Sequence, residues 1–104
     1  MNKPILIVGG GPAGLAAAHA LARVGQNSVV VEKEDRLGGA PIRSGYAKLG
    51  PSGERARDAI GGMVDRVRND PLVDVQTSAR VESFAGQPGA FSARLSNGAS
   101  VDAA

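Results

Sequence analysis

Residues able to do chemistry fall in two short stretches. The first reads Gly9-Gly10-Gly11-Pro12-Ala13-Gly14. Gly9, Gly11 and Gly14 satisfy the spacing G-x-G-x-x-G. In that pattern the first glycine permits a tight strand-to-helix turn, the second leaves room for a pyrophosphate at the backbone, and the third lets the helix pack close to the strand. The helix start also presents unpaired N–H groups and a partial positive charge to phosphates. Gly10 reads as a small residue that is merely permitted. Glu32 follows Gly14 by eighteen residues. A carboxylate there accepts hydrogen bonds from ribose hydroxyls and repels a 2′-phosphate, which disfavours NADP. Together these residues describe a site for a dinucleotide.

Such a turn needs a strand before it and a helix after it. Pro4 to Val8 reads as a short, fully buried strand. Pro12 to Val24 reads as a helix, with Pro in the first turn, where a missing N–H does no harm. Ala18 and Gly25 continue the small-residue pattern, and Gly25 with Asn27 ends the helix. Ser28 to Val31 is a second buried strand with three consecutive valines. Residues 1–32 therefore form a right-handed βαβ core. In that setting the glycines do more than join two elements. His19 lies inside the helix with no acid or nucleophile placed near it, so it reads as a surface or half-buried imidazole rather than a catalytic one.

Lys33 to Gly50 is a long, polar, glycine-rich connection, a kind of loop that is often functional. Pro51-Ser52 opens a second helix, in which Ala56, Ile60, Met63, Val64 and Val67 form one apolar stripe. Asp58, Asp65, Arg66 and Arg68 fall mostly off that stripe, and Asn69-Asp70-Pro71 stops the helix. Val73 to Thr77 is a third strand. Arg80 to Phe84, Phe91 to Leu95 and Ser100 to Val101 read as three more, with turn signals at Gly86-Gln87-Pro88-Gly89 and Ser96-Asn97-Gly98. Residues 78–101 thus form an antiparallel meander. The expected fold class is α/β, a Rossmann-like dinucleotide-binding fold. Its parallel sheet lies at the centre of three layers, with the meander at one side, in a single domain over 1–104.

Composition narrows the function classes. Three aromatics leave the core to Val, Leu, Ile and Ala, as suits a buried parallel sheet. Twelve basic and ten acidic residues give a charge of +2, with no uninterrupted basic run. That speaks against a nucleic-acid partner. There is no cysteine, which excludes disulfides, cysteine-held clusters and a redox Cys pair within the chain. One histidine builds no metal site by any recognisable spacing. The apolar stretch Ile5-Leu6-Ile7-Val8 is too short for a signal peptide or membrane span, so a soluble cytoplasmic protein is expected.

The glycine fingerprint alone leaves FAD and NAD open. The second stretch, Glu32-Lys33-Glu34-Asp35-Arg36-Leu37-Gly38-Gly39, carries the pattern E-x-x-x-x-L-G-G. With VGGGPAGLAAA and VVVEKEDRLGG, the first forty residues resemble the N-terminal FAD domain of the two-dinucleotide-binding flavoprotein superfamily. The resemblance implies that Glu32 binds ribose and that the stretch through Leu-Gly-Gly runs beside the pyrophosphate and riboflavin side. Carried over by position, Gly9, Gly11, Pro12, Ala13, Gly14, Glu32, Lys33, Gly38 and Gly39 become FAD contacts. Arg-Val-Arg-Asn-Asp-Pro, Val-Asp-Val-Gln-Thr and Ala-Arg-Val-Glu-Ser-Phe-Ala-Gly-Gln-Pro-Gly resemble the branch that holds the flavin-bearing chains of heterodisulfide reductase. That branch consists of electron-transferring flavoproteins in multi-subunit complexes. This chain lacks the cysteines that would hold an iron–sulfur cluster, so cluster-linked transfer is not carried over.

In the superfamily the meander leads into a further parallel strand, whereas this sequence stops at Val101-Asp102-Ala103-Ala104. The expectation is therefore the ADP-binding part of an FAD site, in an incomplete domain or subunit of a flavin-dependent oxidoreductase. It would bind FAD and work with a second copy or a redox partner subunit. No catalytic residue is identified. Arg43, Tyr46 and Lys48 in the long loop read as solvated residues rather than flavin contacts. The alternative is a non-catalytic NAD- or ADP-binding or interaction module. NAD at the same turn would be favoured if Leu-Gly-Gly lay away from the ligand.

Overall fold

The computed structural model describes residues 3–39 and 56–104. Strand β1 (Ile5–Val8), helix α1 (Pro12–Arg23), β2 (Ser28–Val31), helix α2 (Ala56–Arg68) and β3 (Val73–Gln76) come first in chain order. Then come β4 (Val81–Gln87), β5 (Ala90–Leu95) and β6 (Ser100–Ala103). The first three strands pair in parallel in the order β1-β2-β3, and the last three form a separate sheet in the order β4-β5-β6. Registers run Ile5 to Ser28 through Val8 to Val31, and Ser28 to Val73 through Val31 to Gln76. This is the three-layer α/β arrangement expected from the sequence.

Alternation along the central strand explains the layers. Val30 faces the helices and joins Leu15, Ala18, Ile60 and Val67 in one cluster. Val29 and Val31 face the other way and pack with Ala79 and Leu95 of the meander side. All four residues of β2 are buried, as its valine run requires. β1 departs from its predicted full burial. Ile5, Leu6 and Ile7 are half-buried, and Val8 is 69% exposed. Among the described residues β1 is the edge of its sheet, without the second neighbour that buries β2.

Helix α1 ends one residue before the predicted Val24, which serves as the C-cap, with Gly25 at φ +80°. Side chains of α2 from Ile60 onward follow the predicted stripe, with Ile60, Met63, Val64 and Val67 against the core. The predicted helix opening at Pro51-Ser52 lies outside the described residues, as do Arg43, Tyr46 and Lys48. The meander strands are longer than predicted. β4 runs to Gln87, and Gln87 pairs with Ala90, so only Pro88-Gly89 turns. Proline fixes the first turn position and Gly89 at φ +89° supplies the second. Two residues therefore suffice where the sequence suggests four.

Candidate functional site

The turn from β1 into α1 has the backbone that its glycine spacing requires. Gly9 sits at φ +108°, a conformation side chains with a Cβ rarely adopt. A Cβ on Gly14 would overlap the Gly9 carbonyl oxygen and press on Ile7. The third glycine thus sets how close α1 lies to β1. Gly11 is the N-cap of α1, and a Cβ built there meets nothing within 4 Å. No side chain caps this helix start, and no acidic residue occupies its first turn. The N–H groups of the first turn lack intrahelical carbonyl partners by geometry, Pro12 having none to offer. The result is an uncapped, positively polarised helix start that opens on free space at Gly11, suited to an anion.

Glu32 follows β2 and is 7% exposed. Its Oε1 accepts from the Gly10 N–H at 2.7 Å, and its Oε2 accepts from the Glu34 N–H at 2.7 Å. One carboxylate thus ties the glycine turn to the chain leaving β2. Each oxygen retains a lone pair, so a ribose hydroxyl can still donate to it. The stretch after Glu32 folds back onto the turn. The Gly38 N–H donates to the Gly10 carbonyl at 2.8 Å. Leu37 is buried beside Gly10. Gly39, at φ +67°, lies so near the turn that a Cβ would stand 3.2 Å from the Gly11 Cα and 3.5 Å from the Pro12 Cδ.

Gly10 corrects the sequence reading. It is more than a permitted small residue, for both its backbone groups are bonded within the site. A Cβ there would meet Leu37 Cδ2 at 2.5 Å and Glu32 Cβ at 3.3 Å. The unbroken run of three glycines was the signal available. All nine residues singled out from the sequence lie along this turn and its return. Pro12 and Ala13 are exposed on the first helical turn, Lys33 is exposed beside Glu32, and His19 is half-buried on α1.

A cleft of about 350 Å³ opens beside Glu32 at the carboxyl ends of β1 and β2. Val8, Val31, Ala79 and Val81 give it an apolar lining; Glu32, Lys33 and Arg80 bring charge. Sequence spacing gave no hint of Ala79, Arg80 or Val81. They arrive because the Ala79 N–H donates to the Glu32 carbonyl at 3.0 Å and the Ser78 N–H to the Glu34 carbonyl at 2.7 Å. Among the described residues, no group of three or more His, Asp or Glu could hold a metal ion. No described helix is long and apolar enough to cross a membrane, which says nothing of a β-barrel.

Residues 4–94 match the family model described as FAD dependent oxidoreductase. Hydrogen cyanide synthase subunit HcnB of Pseudomonas protegens is 37% identical over 92 residues, covering 83% of this chain and 19% of that protein. An iron–sulfur subunit of the CoB–CoM heterodisulfide reductase of Methanopyrus kandleri is 35% identical over 91 residues, covering 88% of this chain and 13% of that protein. The crystal structure of L-proline dehydrogenase from P. horikoshii superimposes with a TM-score of 0.77. That match has 20% identity and covers 91% of this chain and 19% of the other, a likeness of fold. The chain spans less than a fifth of the length of either curated relative.

Proposed function

The chain belongs to the FAD-dependent oxidoreductase family, and from that premise we propose that its glycine turn, Leu-Gly-Gly return and Glu32 together hold the ADP half of FAD. The observation that carries the reading is the closeness of Gly39 to Gly11 and Pro12 beside an open space at Gly11. Two bare stretches of backbone converge there, one from each side of the dinucleotide turn. A pyrophosphate in that open space would meet the N–H groups of Gly11, Ala13 and Gly14. Glu32 accepts from the adenosine ribose, Lys33 lies beside it, and Gly38 and Gly39 follow the pyrophosphate toward the riboflavin side. An NAD reading would be favoured by a Leu-Gly-Gly segment lying apart from the turn, and this one is bonded to it.

Bound FAD would supply hydride or electron transfer, while the protein supplies binding and orientation. We read residues 1–104 as one FAD-binding domain of a larger cytoplasmic oxidoreductase activity, completed by a redox partner subunit or a second copy. Both relatives are subunits of larger enzymes, which supports a partner. Competition tests the reading. ADP should displace FAD from the chain, and FMN, which lacks the adenylate, should not. Displacement by FMN but not by ADP would refute it.

A further inference from the structure

We propose that Arg80 forms one wall of the adenine site, its guanidinium stacking on the base, and so sets the preference of this chain for adenine over other nucleobases. The inference rests on the assignment of the ADP half of FAD to the glycine turn.

Arg80 is fixed by its backbone. Its N–H donates to Ser96 Oγ at 2.9 Å, and its carbonyl accepts from the Ser96 N–H at 2.8 Å. Its neighbour Ala79 is 1% exposed and bonded to the Glu32 carbonyl. Ser78 bends the chain there, at φ +51° in the left-handed region. The segment therefore crosses over the end of β2 at a set height above Glu32. Arg80 itself is exposed, lines the cleft, and has no ion-pair partner among the described residues.

The cleft chemistry is selective. Val8, Val31, Ala79 and Val81 offer apolar surface and no hydrogen-bonding side chain. A ribose held by Glu32 would send its base toward that surface. What the apolar lining and a cationic rim accept together is a flat aromatic heterocycle. A guanidinium is planar and weakly hydrated, and it stacks on π-systems in a way an ammonium does not. Lys33 also lines the cleft, but its ammonium is a compact, strongly hydrated charge that does not stack on a ring as a guanidinium does.

The test is calorimetric titration of the 104-residue chain with ADP, UDP and inorganic pyrophosphate, for wild type, Arg80→Ala and Arg80→Lys. Wild type should prefer ADP to UDP. Arg80→Ala should weaken ADP about five- to tenfold, bring the ADP-to-UDP ratio close to one and leave pyrophosphate binding unchanged. Its circular dichroism should not change, because the Ser96 bonds use only backbone atoms of Arg80. Arg80→Lys keeps the charge and should recover little of the ADP preference. Full recovery with Lys would overturn stacking in favour of simple charge attraction. An Arg80→Ala chain that keeps wild-type ADP affinity and base preference would overturn the proposal while leaving the FAD site standing. A wild type that binds neither ADP nor pyrophosphate would instead overturn the site on which the proposal rests.

Discussion

Replacing Glu32 should damage the fold as well as the ligand site. Its two carboxylate oxygens take the N–H groups of Gly10 and Glu34, each at 2.7 Å. Gly10 is buried, so in Glu32→Ala its N–H loses a charged acceptor and water cannot easily replace it. An orphaned buried donor costs about 1–3 kcal/mol. The Glu34 N–H is part-buried and can be rewetted, which adds about 1 kcal/mol or less. The expected loss is thus about 1–4 kcal/mol, a large share of the stability of a small domain. Glu32→Gln should lose roughly half of that, because its amide oxygen serves one N–H while its NH₂ confronts the other. Urea denaturation followed by circular dichroism measures both variants, with an unchanged slope confirming an unchanged unfolded state. A Glu32→Ala loss below about 0.5 kcal/mol, within the range of ordinary surface substitutions, would refute the linkage between the glycine turn and the chain after β2.

Other substitutions separate folding from binding. Gly11→Val should weaken FAD at least tenfold while costing at most about 1 kcal/mol of stability at an N-cap, since its backbone is extended and its Cβ enters open space; titration and melting of the same sample check both halves. Gly14→Ala should destabilise the chain by about 1–3 kcal/mol, the usual cost of overpacking, despite the better helix propensity of alanine. The denaturation midpoint reads it, and a gain would show that α1 need not lie so close to Gly9. Gly61→Ala should add about 0.5–1 kcal/mol, because Gly61 lies within α2 and a Cβ there meets nothing within 4 Å. A fall in the midpoint would mean that the position is covered in solution.

The turn and its flanking elements were legible because each determinant is local. Gly9 needs a positive φ, Gly14 must admit the strand, and three valines mark β2 by composition alone. The extent of β4 was not legible. Gly86 looks like a turn residue, yet it lies inside the strand at φ +112°, where a Cβ would overlap the Ala90 carbonyl oxygen. The exposure of β1 follows from its place at the sheet edge, which no property of Ile-Leu-Ile-Val encodes. The contribution of Ala79, Arg80 and Val81 was hidden for a similar reason. It depends on the chain after β3 crossing over the end of β2, a matter of topology and not of spacing. The constraint on Gly10 shows in the sequence only as an unbroken run of three glycines; its cause, Leu37 and Glu32, is distant along the chain and adjacent only once the return is folded.

The most direct test of an FAD site in this chain is gel filtration of the purified protein after mixing with FAD, with absorbance recorded across the protein peak. Flavin bands in the visible range should elute with the protein and be absent from the Gly11→Val variant. A protein peak without flavin absorbance, at FAD concentrations that saturate the mixture, would contradict the assignment.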